Sequence, residues 1–232
     1  VHTVQDAKLT LTAGTAEPDD FSLFGGGYAT GKGTGTVYTV NSTEVAISGG
    51  SWGALVGGRG VFGGIFASGV TAEVTNGTNI TISDGTMGNV FGGGWSQKGG
   101  TSKVTGGVNI TISGGTVANV FGGGSHSITT KNGGTTSVEG GVTITVSGGN
   151  ITGDIYARGN LTGDTVSGNA KVIFTGNGSY SCGVYGYSYQ ANELDSGANL
   201  LRFSDFGGML SGAVKGLETE FSGSTGATWT AA

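Results

Sequence analysis

The chain has 232 residues, of which 52 are glycine, with only 11% charged residues and a net charge of -5. So sparse and acidic a charge provides no basic stripe to neutralise phosphates, which argues against a nucleic-acid partner. The glycines rule out a helical body, each costing roughly 0.5–1 kcal/mol against alanine in a helix interior. No apolar run approaches the ~20 residues that span a bilayer as a helix, so this segment is not expected to insert into a membrane.

The first strand signal is Lys8-Leu-Thr-Leu-Thr-Ala-Gly14, and a second is Leu23-Phe-Gly-Gly-Gly27. Between them Glu17-Pro-Asp-Asp20 holds the only proline and reads as an exposed loop. A related unit follows as Glu44-Val-Ala-Ile-Ser-Gly-Gly-Ser-Trp-Gly-Ala-Leu-Val-Gly-Gly58. Its appendage, Arg59-Gly-Val-Phe-Gly-Gly-Ile-Phe66, suggests a small added strand carrying Phe62 and Phe66. The clearest pair comes next: Asn79-Ile-Thr-Ile-Ser-Asp-Gly-Thr-Met-Gly-Asn-Val-Phe-Gly-Gly-Gly94 returns as Asn109-Ile-Thr-Ile-Ser-Gly-Gly-Thr-Val-Ala-Asn-Val-Phe-Gly-Gly-Gly124. Thr143-Ile-Thr-Val-Ser-Gly-Gly-Asn-Ile-Thr-Gly-Asp-Ile-Tyr-Ala-Arg-Gly159 is a further copy with one inserted residue. Lys171 to Gly186 and Leu200 to Gly212 are fainter echoes.

Within a unit, Ile110 and Ile112 alternate with Thr111 and Ser113, the period of a strand with one buried face. The glycine pair turns the chain, and Asn-Val-Phe forms a second short strand. One unit cannot bury its apolar side alone, so the copies must stack. Stacking predicts one column of Ile47, Ile82, Ile112, Val146 and Phe174, and a second of Val56, Phe91, Phe121, Tyr156 and Tyr185. Each shielded side chain contributes on the order of 1.5–3 kcal/mol. Parallel strands without intervening helices make the expected fold all-β, a parallel β-helix or β-solenoid. About seven coils at ~4.8 Å would stand roughly 34 Å tall. A propeller needs about 40 residues and four strands per blade, more than these units supply.

No linker separates the copies, so residues 1–232 are expected to form a single β-helix domain. Cys182 is the only cysteine and is expected to pack as a small apolar residue. The start at Val1, without initiator or signal segment, suggests an excised or processed piece of a longer surface protein. Residues 1–7 and the tail after Gly212 are candidate caps, or places where neighbouring coils once stacked.

Several residues have side chains capable of chemistry. Asp84, Asp154 and Asp164 are the carboxylates an enzyme cleaving polysaccharide would use, but neither Asp84 nor Asp154 has a carboxylate at the matching place in a neighbouring coil; turn roles fit better than a catalytic pair. Arg59 and Arg158 follow second strands and suit the carboxylates of an acidic glycan, though three coils, roughly 14 Å, separate them. Trp95 and His126 follow glycine triplets in adjacent units and should lie close together. Trp95 offers a stacking surface, and His126 has no cysteine, histidine or acid at ligand spacing, so no metal is expected. Tyr187 and Tyr189 belong to a tyrosine cluster that reads either as half-buried strand or as binding surface. The triplets lack the helix start and lysine of phosphate loops, and no cofactor is expected. Outward Asn79, Thr81, Ser83 and their equivalents form an ordered polar array, either a cross-strand ladder or an ice-binding face.

The Ile-Ser-Gly-Gly-Thr-Val-x-Asn-Val-Phe-Gly-Gly-Gly units, together with the tail Leu210-Ser-Gly-Ala-Val-Lys-Gly-Leu-Glu-Thr-Glu-Phe-Ser-Gly223, resemble passenger segments of bacterial autotransporters and related surface adhesins. The likeness spans most of the chain. It implies a right-handed β-helix displayed outside a Gram-negative cell and exported by way of the outer membrane. It also implies a role in adhesion to a host or bacterial surface glycan or protein, or in self-association. Trp95, His126, Arg158, Tyr187 and Tyr189 are the candidate binding residues, and no catalytic group is assigned.

Overall fold

The computed structural model describes residues 2–15, 22–31, 37–52, 60–129, 133–190, 198–223 and 228–229, the last two by backbone alone. Every strand pairing among them is parallel and no helix occurs among them. The architecture is all-β, consistent with a parallel β-solenoid. Four sheets of 12, seven, four and three strands run through it, and each turn of the chain contributes a rung to several of them.

The repeats pair residue for residue. Thr78–Met87 lies beside Val108–Val117, with Ile80 against Ile110 and Ile82 against Ile112. The first predicted column is present and longer than expected. It runs Leu11, Ile47, Ile82, Ile112, Val146, Phe174, Phe203 and Phe221. From Ile47 to Phe203 these side chains are almost fully shielded. The faint echoes are therefore true rungs: Leu9 pairs with Val45, Leu23 with Val61, and Leu201 with Val172.

The second column needs two corrections. Val56 falls outside the described residues; its place beside Phe91 is held by Phe62, whose Val61-Phe-Gly-Gly64 repeats Val90-Phe-Gly-Gly93. The column also does not line the main interior. Because alternate residues of a strand face opposite ways, the inward positions are Val61, Val90, Val120, Ile155 and Val184, all in the main apolar cluster. Phe62, Phe91, Phe121 and Tyr156 form a separate cluster on the other face.

That outer face carries a continuous ladder of six stacked rings. Centroids of Phe24, Phe62, Phe91, Phe121, Tyr156 and Tyr185 are 4.4–5.3 Å apart, with interplanar angles of 4–16°. Strand spacing imposes this face-to-face geometry, since free aromatic pairs prefer offset or edge-to-face contact. The ladder stays dry because the next sheet covers it. Glycine triplets make that corner: a Cβ on Gly92 would sit 2.4 Å from the Gly122 carbonyl oxygen, and one on Gly93 would sit 2.7 Å from the Gly124 nitrogen. Past the corner, the outward residues of the four-stranded sheet fold back onto the ladder.

Candidate binding cleft

Tyr28, Phe66, Trp95 and Ser125 are register partners in the four-stranded sheet. The same position continues beyond it. Asn160 N donates to Gly124 O, as Ser125 N does to Gly94 O, which aligns Asn160 with Ser125. Tyr189 N donates to Gly159 O and so aligns Tyr189 with Asn160. The column therefore reads Tyr28, Phe66, Trp95, Ser125, Asn160, Tyr189.

Four members are aromatic, and they lie over the edges of the ladder rings. Tyr28 and Phe66 meet Phe24 at 75° and 69°, Trp95 meets Phe62 at 78°, and Tyr189 meets Phe121 and Tyr156 at 74° and 73°. Ser125 and Asn160 are too short to do so. A cleft of about 560 Å³ opens where their rings would be, walled by Trp95 and Tyr189 and floored by Phe121 and Tyr156. That volume is in the roughly 300–1,000 Å³ range of ligand pockets.

One wall of the cleft is an amide and carboxylate ladder. Asn119 Nδ2 donates to Asn89 Oδ1 at 2.9 Å, and Asp154 N donates to Asn119 Oδ1 at 2.9 Å. Asp154 Oδ1 accepts from Gly183 N at 2.6 Å, and Asp154 Oδ2 accepts a long 3.4 Å bond from the Tyr156 hydroxyl. Burial pushes that hydroxyl's pKa well up, with the Asp154 charge adding to the effect.

His126 also lines the cleft. Its Nδ1 lies 2.6 Å from Asp164 Oδ1, which also accepts from Thr136 Oγ1 at 2.6 Å. Asp164 Oδ2 accepts from Leu161 N at 2.8 Å, and its side chain is fully buried. The hydrogen bond to Asp164 raises the imidazole pKa, with burial opposing it. This acid lies 38 residues further along the chain, outside any ligand spacing the sequence offers around His126. The hydrogen bond at Nδ1 orients the ring and fixes which nitrogen faces the carboxylate.

The five sequence candidates divide. Trp95, His126 and Tyr189 share the cleft. Tyr187 instead packs against Tyr185 at 5.4 Å and 40°, outside the cleft lining. Arg158 is a correction: it is no surface clasp for an acidic glycan but is fully buried. It takes the place of the middle glycine, since Gly123 N donates to Arg158 O as Gly93 N does to Gly123 O. Its guanidinium donates to Val166 O, to Gly186 O at 3.3 Å and to Asn199 Oδ1 at 2.7 Å. A buried guanidinium must find such acceptors, and these tie three successive rungs together. Arg59 lies outside the described residues.

Asp84 keeps its turn role, accepting from Gly85 N at 2.7 Å. Asn119, Asn160 and Gln190 were missed. The recurring Asn89 and Asn119 before Val-Phe were a readable signal for the ladder wall; Asn160 carries only an Asn-Leu-Thr glycosylation pattern that composition explains, and nothing local marks Gln190. Among the described residues no group of three or more metal-ligating side chains occurs, and no helix is long and apolar enough to cross a membrane. Comparison with protein-family models, curated proteins and solved structures finds no match.

Proposed function

We propose that this chain is an extracellular adhesin segment of a bacterial surface protein. In this reading it is a right-handed β-helix of about seven coils that grips a surface glycan in the cleft between Trp95 and Tyr189. The cleft is the observation that carries the reading. It sets exposed aromatic faces beside planar amides and a carboxylate, the pairing that suits the apolar faces and hydroxyl rims of sugar rings. The sequence likeness to autotransporter passengers supports the extracellular setting.

Labelled chain added to bacterial or epithelial cells should coat them, and enzymatic stripping of surface glycans should remove the coat. A coat that survives stripping points to a protein receptor and sinks the glycan reading. The hydrogen-bonded His126–Asp164 pair supports a second reading, a polysaccharide-cleaving enzyme with His126 as general base. Release of reducing ends from purified surface polysaccharide, lost in His126→Ala, is its signature.

A further inference from the structure

We infer that the cleft takes a linear, uncharged oligosaccharide lying along the stacking axis, with one ring seated in the gap above Ser125 and Asn160. The inference rests on the glycan reading above and adds the ligand's charge class, direction and seat. Direction follows from the rings. The ladder planes stack along the axis, so Trp95 and Tyr189, nearly perpendicular to them, have planes that run along it. They stand three rungs apart, about 14 Å at ~4.8 Å per strand, as two tiles of one track. Trp95 is half-buried and Tyr189 exposed, so ring surface is left for a ligand after each has covered the ladder.

Charge class follows from the lining. Among the described residues no lysine or arginine borders the cleft, whereas Asp154 does and the buried Asp164 stands behind His126. Even with His126 protonated, the balance of these groups is negative, so a uronate or sialate carboxylate would meet no free cation among the described residues. Removing its water would go uncompensated. Asn160 spends its Nδ2 on Ser125 Oγ at 3.0 Å, while its Oδ1 and the whole Gln190 side-chain amide make no hydrogen bond among the described residues. These groups, with the second N–H of Asn119 Nδ2, are donors and acceptors for hydroxyls. An inserted tyrosine or phenylalanine side chain would cover them without satisfying them, which disfavours an aromatic peptide.

The test titrates the intact chain by calorimetry with maltohexaose, cellohexaose, chitohexaose, hexagalacturonate and a pentapeptide bearing a central tyrosine. At least one neutral hexamer should bind, at least tenfold more tightly than hexagalacturonate or the peptide. Trp95→Ala and Tyr189→Ala should each weaken it about tenfold or more. Ser125→Phe, which restores the missing ring, should abolish binding, while circular dichroism and the melting transition report whether each variant is folded. Preferred binding of hexagalacturonate, or neutral binding indifferent to Trp95→Ala and Tyr189→Ala in folded protein, overturns the inference but leaves the adhesin reading standing. Binding of the peptide alone, or of no probe while cells are still coated, overturns it too. Loss of cell coating itself marks failure of the broader reading.

Discussion

Two apolar spines run along the described rungs, one from Leu11 to Phe221 and one from Phe24 to Tyr185, and they do different work. The spine through Ile82 and Ile112 is sealed between sheets, and the residues around it belong to one cluster. The ring ladder through Phe91 and Phe121 stands on the outer face and depends on a second set of rings to keep it dry. A gap in the first would be a packing defect. A gap in the cover of the second, at Ser125 and Asn160, is a cleft with a hard aromatic floor. The same stacking thus yields a core on one side of a strand and an open aromatic cleft on the other.

The sharpest way to break this arrangement is at the corner where the covering sheet stops. Arg158→Met should leave three acceptors without their donor, at about 1–3 kcal/mol each, and should lower the urea midpoint more than any single ladder change. Next comes the ladder itself. Phe91→Ala, inside the stack and fully buried, should cost about 3–5 kcal/mol, whereas Trp95→Ala, in the cover, should cost no more than about 1.5 kcal/mol. Equal losses in urea titration would erase the distinction between ladder and cover.

A smaller effect concerns His126. Its folded pKa lies above the ordinary 6.5 because of Asp164. A raised basic pKa contributes stability that is fully present below the unfolded value and is lost as pH rises through the folded one. The melting temperature of the native chain should therefore fall, relative to His126→Gln, as pH climbs past about 6.5; parallel curves for the two proteins would remove the ion pair from the account. Smallest of all is Cys182, whose thiol burial pushes up to about 12. It should resist alkylation at about pH 8 in the folded chain and react once unfolded, because only the thiolate is nucleophilic; rapid labelling of native protein would contradict its burial.

Much of the fold was legible because glycine pairs and alternating Ile and Thr constrain the chain locally. Those signals fix strands, turns and the register of like upon like, down to the pairing of Ile82 with Ile112. The site was half legible. Trp95, His126 and Tyr189 stood out as aromatic or titratable groups beside glycine turns, and the structure unites them. Arg158 misled because its surroundings look like a loop, while the corner it occupies turns its side chain inward.

What the sequence determined by itself is the stacking, since a repeated apolar pattern too narrow to form a core alone has to cover itself with its own copies. It could not assign sides, because alternation says that neighbours face apart without saying which face becomes interior; that choice sent Val90 inward and Phe91 outward. Tertiary structure alone brought Asp164 to His126 and laid Tyr189 in line with Trp95, since those meetings depend on how loops of later rungs fold back over earlier ones.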